Sequence, residues 1–303
     1  MSAVTAAVSR ERIEAHVKNL EGVRHPVTGA DALRRACSYV DDTLRELGYA
    51  VDLHPFIDGG SEYHNVVATR LGTRQPEKRV LVIAHYDTVS VSPGADDNAS
   101  GVALLLELAT ICKEWHPELT LHFVGVNLEE NSEEGVRGTG LRGSRALARF
   151  AVQQEWDIEA VLVLESVAYA GASIRQSVPA GLPFEVPQTG DFLAVIGNEF
   201  SRGVVGRFVL VVQDFGIPLP VVPLVVPGNG EVVPDTRRSD HAPFWDAGYP
   251  AIMLTDTTNF RNPHYHEVSD TFETLNLGFA VRVCQAAAGF LLGLVSGEAE
   301  TPR

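Results

Sequence analysis

The chain has 303 residues, 45% of them hydrophobic, enough to bury a large core. Its formal net charge of −15 excludes an electrostatic grip on nucleic acid or on an anionic membrane, and favours a soluble protein that concentrates cations. Cys37, Cys112 and Cys284 are scattered and show no CxxC spacing, which excludes a disulfide framework and reads as core filler.

In chain order, residues 4–20 and 31–47 predict two helices joined by GVRHPVTGAD; in the second, Leu33, Cys37, Val40 and Leu44 share one face. The N-terminus has no basic stretch followed by an apolar core, and no later segment runs to about 18 consecutive apolar residues. The expected location is therefore the cytoplasm. Short strands at 51–57 and 65–71, with GGSEYH as a turn and TRQPEK as an exposed connection, predict an antiparallel edge. From Val80 onward buried strands alternate with helices: VLVIAH, a helix over 98–113, LTLHFVGVN, a helix over 143–154, AVLVLES, LPVVPLVV and AIMLTDT. That alternation predicts an α/β fold with a mostly parallel, doubly wound sheet flanked by helices. Residues 171–191, rich in Gly, Pro, Ala and Ser, read as a loop placed to roof a site. The last helix, over 275–295, covers the sheet and ends in the polar tail SGEAETPR. With no internal repeat and no linker, residues 1–303 are expected to form one domain, 1–60 supplying the N-terminal helices and an edge strand.

The chemistry lies where the strands end. His85 ends VLVIAH, Glu129 and Glu130 end LHFVGVNLEE, Glu165 ends AVLVLE, and Asp97 stands in ADDNASG at the start of a helix. FRNPHYHEVSDT adds His264 and His266 after another strand. Several anions gathered at one buried edge are strongly unfavourable unless cations compensate them, so a metal site is the economical reading. Each residue also has a plainer use: His85 with Asp87 as a strand-end pair, Asp97 as a helix cap, Glu165 as a solvated strand end. Glu133 and Glu134 compete with Glu129 and Glu130, and His264 competes with His266. Asp240 and His241, in RRSDHAPFW, either line the site or cap the next helix. His16, His25, His54, His64, His116 and His122 have no partner pattern, and Leu104, Leu105 and Leu108 form a helix stripe that reads as core.

HYD, ADDNASG, a strand ending LEE, a strand ending LES, SDH, and HYH with SD shortly after it, in that order over residues 65–270, resemble the M28 family of dinuclear zinc exopeptidases. The best-known members of that family are aminopeptidases. The resemblance implies His85 and Glu165 on one zinc, Glu130 and His266 on the other, and Asp97 bridging the two. It implies Glu129 as general base, Asp87 on the outer nitrogen of His85, and Tyr265 steadying the reacting carbonyl oxygen, with Asp240 nearby. Two dications would then balance three carboxylates and one bridging hydroxide; cobalt or manganese fit the same oxygen and nitrogen ligands. The implied activity is aminopeptidase cleavage of a peptide or small amide by that zinc-bridging hydroxide. Rivals are carboxypeptidase-type cleavage, other amide hydrolysis, cyclisation of N-terminal glutamine with a single zinc, and a non-catalytic binding protein on the same scaffold. The complete ligand set counts against the last two. Two features depart from the pattern: Glu165 stands where many members carry aspartate, and residues 131–142 form a longer link than usual. Glu133, Glu134, Arg137 and Arg142 in that link are expected to bias selection of the substrate's charged end.

Overall fold

The computed structural model describes residues 3–133, 136, 138–179, 182 and 185–296. Its sheet is built from β1 (Ala50–Asp58), β2 (Ser61–Arg70), β3 (Gln75–His85), β4 (Leu119–Val126), β5 (Asp157–Glu165), β6 (Leu193–Asn198), β7 (Val221–Val226) and β8 (Ala251–Thr255). They lie in the order β1-β2-β4-β3-β5-β8-β6-β7. The middle strands β4, β3, β5 and β8 are mutually parallel, and they are the continuous apolar runs expected of strands covered on both faces. β2 joins antiparallel to β4 and β1 to β2, while β6 is antiparallel to β8 and parallel to β7. The four central strands therefore deliver their carboxyl ends to one edge, where open α/β sheets bind ligands.

Helices α2 (Arg10–Leu20), α3 (Ala30–Glu46), α4 (Gly101–Cys112), α6 (Arg202–Asp214) and α8 (Leu277–Val295) cover one face, against Val80, Val82 and Ala84. The short α1 (Ala3–Ala6) packs on α8. α5 (Arg142–Gln153) and α7 (Ala242–Asp246) cover the other face, against Leu81 and Ile83. Leu104, Leu105 and Leu108 are fully buried on α4, and all three cysteines are free thiols, two of them buried. α8 is long and apolar enough to cross a membrane by length and composition, but 67% of that stretch is buried against the rest of the fold. Its buried residues make it a core helix.

The structure corrects several element boundaries. The helix expected over 4–20 is broken at Ser9, whose hydroxyl caps α2 by accepting from the Arg12 amide and whose own amide donates to buried Glu107. GGSEYH is not all turn: the register pairs Asp58 with Ser61, so only Gly59 and Gly60, both at positive φ, make the bend. Polar residues 75–78, expected in a connection, extend β3 because Gln75 pairs with Leu119 and Lys78 with Asp157. β6 and α6 are additions to the expected elements. RGVVGRFVLVVQD has two glycines and five valines, a poor intrinsic helix; packing of Val205, Phe208 and Val212 against the core supplies what propensity lacks.

Phe290 of α8 is fully buried and packs on Phe208 with ring centroids 5.4 Å apart. Phe290→Ala is expected to cost about 3–5 kcal/mol in denaturant unfolding; a loss near zero would contradict the burial of α8.

Candidate metal centre

His85 is the last residue of β3 and is almost wholly buried. Its Nε2 lies 3.2 Å from Asp97 Oδ1 and 3.4 Å from Glu165 Oε2. The other oxygen of Asp97 lies 3.2 Å from His266 Nε2, which is also 3.2 Å from Glu130 Oε2. Two groups result, His85 with Asp97 and Glu165, and Asp97 with Glu130 and His266; within each, the candidate ligand atoms all lie within 4.8 Å of one another. Asp97 belongs to both and offers one oxygen to each. Glu129 is buried beside Glu130 and belongs to neither.

The electrostatics ask for cations. Burial raises the Glu130 carboxyl to about 7, with Asp97 pushing it further up and His266 pulling it down. Burial, then the charges of Glu165 and Glu130, raise Glu129 well above the carboxylate range, against the pull of His85. Burial alone would lower His266, but Glu130 and Asp97 outweigh it and hold the imidazole at about 11. Both nitrogens of His85, Asp97 Oδ1, Glu130 Oε1 and His266 Nε2 are buried and make no hydrogen bond. Of these, His85 Nε2 and Asp97 Oδ1 belong to the first group and His266 Nε2 to the second, and unpaired imidazole and carboxylate atoms so placed fit divalent ions such as zinc.

Two aspartates template the edge. Asp87 accepts the amides of Glu129 on Oδ1 at 3.0 Å and of Glu130 on Oδ2 at 3.1 Å, while its Oδ1 stands 3.4 Å from His85 Nδ1. Asp270, which the sequence marks only by its spacing from His266, does the same on the other side, accepting the amides of Asp96 and Asp97 at 2.9 and 3.1 Å. Asn98 joins α4 to β5. Its side chain donates to the Leu164 carbonyl at 2.8 Å and accepts from the amides of Ser166 and Gly101. A Cβ at residue 101 would lie 2.3 Å from Asn98 Oδ1, so glycine is required there. Asp97 is thus not a cap: it has extended rather than helical dihedrals, α4 begins at 101 instead of 98 with Ser100 before it, and the Gly101 amide is taken by Asn98. The peptide between Asp97 and Asn98 is cis. Leu128, Ser166 and His266, next to or among these groups, all have left-handed backbones, φ 56, 46 and 64°. Such conformations cost about 1 kcal/mol or more each and collect at functional sites.

Other expected residues fall into place or out of it. Glu165 is no solvated strand end: it is buried and accepts from the Ser239 hydroxyl at 2.6 Å. Tyr265 stacks on His266, centroids 3.8 Å apart, and its phenol oxygen accepts from Arg238 at 3.1 Å. Asp240 is fully buried with both oxygens unpartnered, and burial raises it to about 7. His241 turns away to the Thr236 carbonyl and Trp245, and His264 turns to Ser269. Glu133 stays in an exposed loop; Glu134 and Arg137 lie outside the described residues. Arg142 is already engaged, donating to Asp58 and to the Glu130 carbonyl. Residues 176–179 and 182, in the loop expected to roof the site, wall an apolar cavity of about 80 Å³ with Phe192, Met253, Glu165 and Tyr265.

A residue the sequence does not single out lies beneath the edge. Arg24 is buried and donates to the carbonyls of Leu20, Gly22, Tyr86, Pro93 and Gly94. Burial lowers it to about 10, against the upward pull of Asp87, Asp270 and Asp97.

The profile of peptidase family M28 matches residues 65–195 and 227–291, more than half of the chain. The chain belongs to peptidase family M28. This M28 member is similar to the uncharacterized protein YfbL of Escherichia coli K12, 32% identical over 288 residues, 88% of this chain and 83% of that protein. It is also similar to a probable zinc metalloprotease of Pyricularia oryzae, 29% identical over 76% of this chain, and spans about half, 48%, of that relative's length. Among solved structures, the LapA aminopeptidase of Legionella pneumophila matches with a TM-score of 0.74 at 19% identity, covering 98% of this chain and 73% of that one. The glutaminyl cyclase of Porphyromonas gingivalis matches with a TM-score of 0.73 at 20% identity, covering 95% and 99%. At such identities the two structures speak for the fold, and the α/β sheet expected from the sequence is the one they share.

Asn98→Ala removes the side-chain partner of the Leu164 carbonyl and of the Ser166 amide, while the Gly101 amide keeps the main-chain carbonyl of residue 98. It is expected to cost about 3 kcal/mol in thermal or denaturant unfolding; a change well under about 1 kcal/mol would show that Asn98 does not hold α4 to β5.

Proposed function

We propose that the protein is a metal-dependent aminopeptidase that removes the amino-terminal residue of short peptides. The observation that carries this reading is Asp97, one oxygen facing each of two ligand groups, with Glu129 alongside and outside both. Two zinc ions, or cobalt or manganese, would be held by His85, Asp97 and Glu165 and by Asp97, Glu130 and His266. Bound there, they would supply Lewis acidity to the scissile carbonyl and to the attacking water.

The chain's own residues do the rest. Glu129 takes the proton of the attacking water on its carboxylate and returns it to the leaving amine. Asp87 fixes the backbone of Glu129 and Glu130 through their amides and stands at the outer nitrogen of His85, setting its tautomer. Because the Tyr265 oxygen accepts from Arg238, its own hydrogen stays available for the carbonyl oxygen of the substrate. The apolar cavity beside Glu165 and Tyr265, with Phe192, Ile196, Leu224 and Met253 in its wall, takes an apolar amino-terminal side chain. A cyclase working with one ion would leave one of the two ligand groups buried without a counter-charge, which weighs against that rival; the unpartnered ligand atoms weigh against a binding protein that has lost its metals.

Metal analysis of protein purified without chelator is expected to give two divalent ions per chain, and metal-replete protein to cleave free but not amino-blocked peptides. Glu129→Gln is expected to lower kcat by about 10²–10⁴ with metal content retained. One ion per chain, or equal turnover of blocked peptides, would overturn the reading. Asp87→Asn is expected to weaken metal affinity roughly 10- to 100-fold in a competition titration with a chelating dye; unchanged affinity and turnover would remove Asp87 from the centre.

A further inference from the structure

Tyr265 and Arg238, which line the apolar cavity, also line a second cleft, of about 270 Å³. Glu129, Glu130 and His266 line it together with Arg145, Arg237 and Arg238. Three arginines in the lining shared with the proposed base stand out in a chain whose acidic residues outnumber its basic ones by 39 to 24. Their partners distinguish them. Arg237 is neutralised, one nitrogen lying 2.8 Å from both oxygens of Asp246. Arg238 donates to neutral acceptors, Asn259 Oδ1 at 2.7 Å and the Tyr265 hydroxyl at 3.1 Å, and its ion pair with Asp235 is loose, at 3.9 Å. Arg145 donates to the Gly138 carbonyl at 3.1 Å and pairs with no carboxylate among the described residues.

We propose that Arg238, assisted by Arg145, binds the free carboxylate of the residue on the leaving side of the scissile bond, so that the preferred substrates are dipeptides. This rests on the metallopeptidase reading above. The leaving amine must lie next to Glu129 to collect its proton, which puts the leaving residue in this cleft. In a dipeptide the terminal carboxylate is then a single residue away, within about 3.6 Å of chain. At about 270 Å³ the cleft has room for the leaving residue beside Glu129 and the arginines. A planar guanidinium with donors left over matches a carboxylate through paired charge-assisted hydrogen bonds. Without it, Glu129 and Glu130 would repel a carboxylate entering here. Of the charged residues expected to select the substrate's charged end, Glu133, Glu134, Arg137 and Arg142, Arg142 is occupied by Asp58 and the Glu130 carbonyl; the proposal gives that role to Arg238.

The test compares leucyl-alanine with leucyl-alaninamide, which differ only in that carboxylate, in metal-replete protein. Wild type is expected to show a kcat/KM ratio of roughly ten or more in favour of the free dipeptide, carried mostly by KM. In Arg238→Gln the ratio is expected to fall towards one, in Arg145→Gln to fall partway, and in Arg238→Lys to be partly restored, with melting temperatures confirming that each variant is folded. A wild-type ratio near one overturns the proposal. So does an Arg238→Gln variant that loses both substrates equally, since Arg238 then only holds Tyr265. Calorimetric titration of the same two compounds into metal-loaded Glu129→Gln protein reads the preference without turnover. Absence of cleavage of every substrate by wild type would therefore count against the metallopeptidase reading alone, and equal binding of the two compounds against the carboxylate site alone.

Discussion

The mutual repulsion of buried carboxylates is the constraint on which this structure turns. Asp97, Glu130 and Glu165 point at one small volume, with Glu129 and Asp240 close behind, all of them buried. A fold that depended only on apolar packing would not gather them, because each loses hydration, and Asp97 Oδ1, Glu130 Oε1 and both Asp240 oxygens find no hydrogen bond to replace it. The arrangement becomes favourable when positive charge occupies the space between them. The sheet, the helices and the clamping side chains can all be understood as holding these acids in place until that happens.

The holding is done largely through backbone amides rather than through the ligands' own side chains. Asp87 and Asp270 each use two oxygens to grip two consecutive amides, one pair carrying Glu129 and Glu130, the other carrying Asp96 and Asp97. Asn98 adds a third fastening between neighbouring elements. Left-handed residues at 128, 166 and 266 then aim side chains that ordinary strand ends would direct elsewhere. Local strain is compensated by buried hydrogen bonds, which is sustainable only at a well-packed domain edge.

Much of this was legible in the sequence because strand periodicity and strand-ending acids are local signals. Val80 to His85, Leu119 to Val126 and Asp157 to Glu165 announce buried parallel strands, and the residues just past each run are visibly polar. The ordered motifs then linked those ends to His266 across a hundred residues. The features that stayed hidden are tertiary in origin. α6 is stabilised by packing against the propensity of its valines and glycines, and β6 is six residues long and comes directly after a Gly- and Pro-rich run. Asp270 and Asn98 carry no signal of their role until the chain brings distant amides to them. Arg142 looks available in the sequence and is engaged in the fold, whereas Arg238, beside the SDH motif, faces the cleft.

Arg24 shows how far this dependence reaches along the chain. Its guanidinium fills a cage of carbonyls drawn from two separate segments, 20–22 and 86–94, the second leading directly to Asp97. With the cation gone, those oxygens would confront one another in a dry interior. The amino-terminal portion, distant in sequence from every candidate ligand, is in this sense a keystone: shorten the protein past that point and the arch bearing the candidate ligands has nothing to lean on.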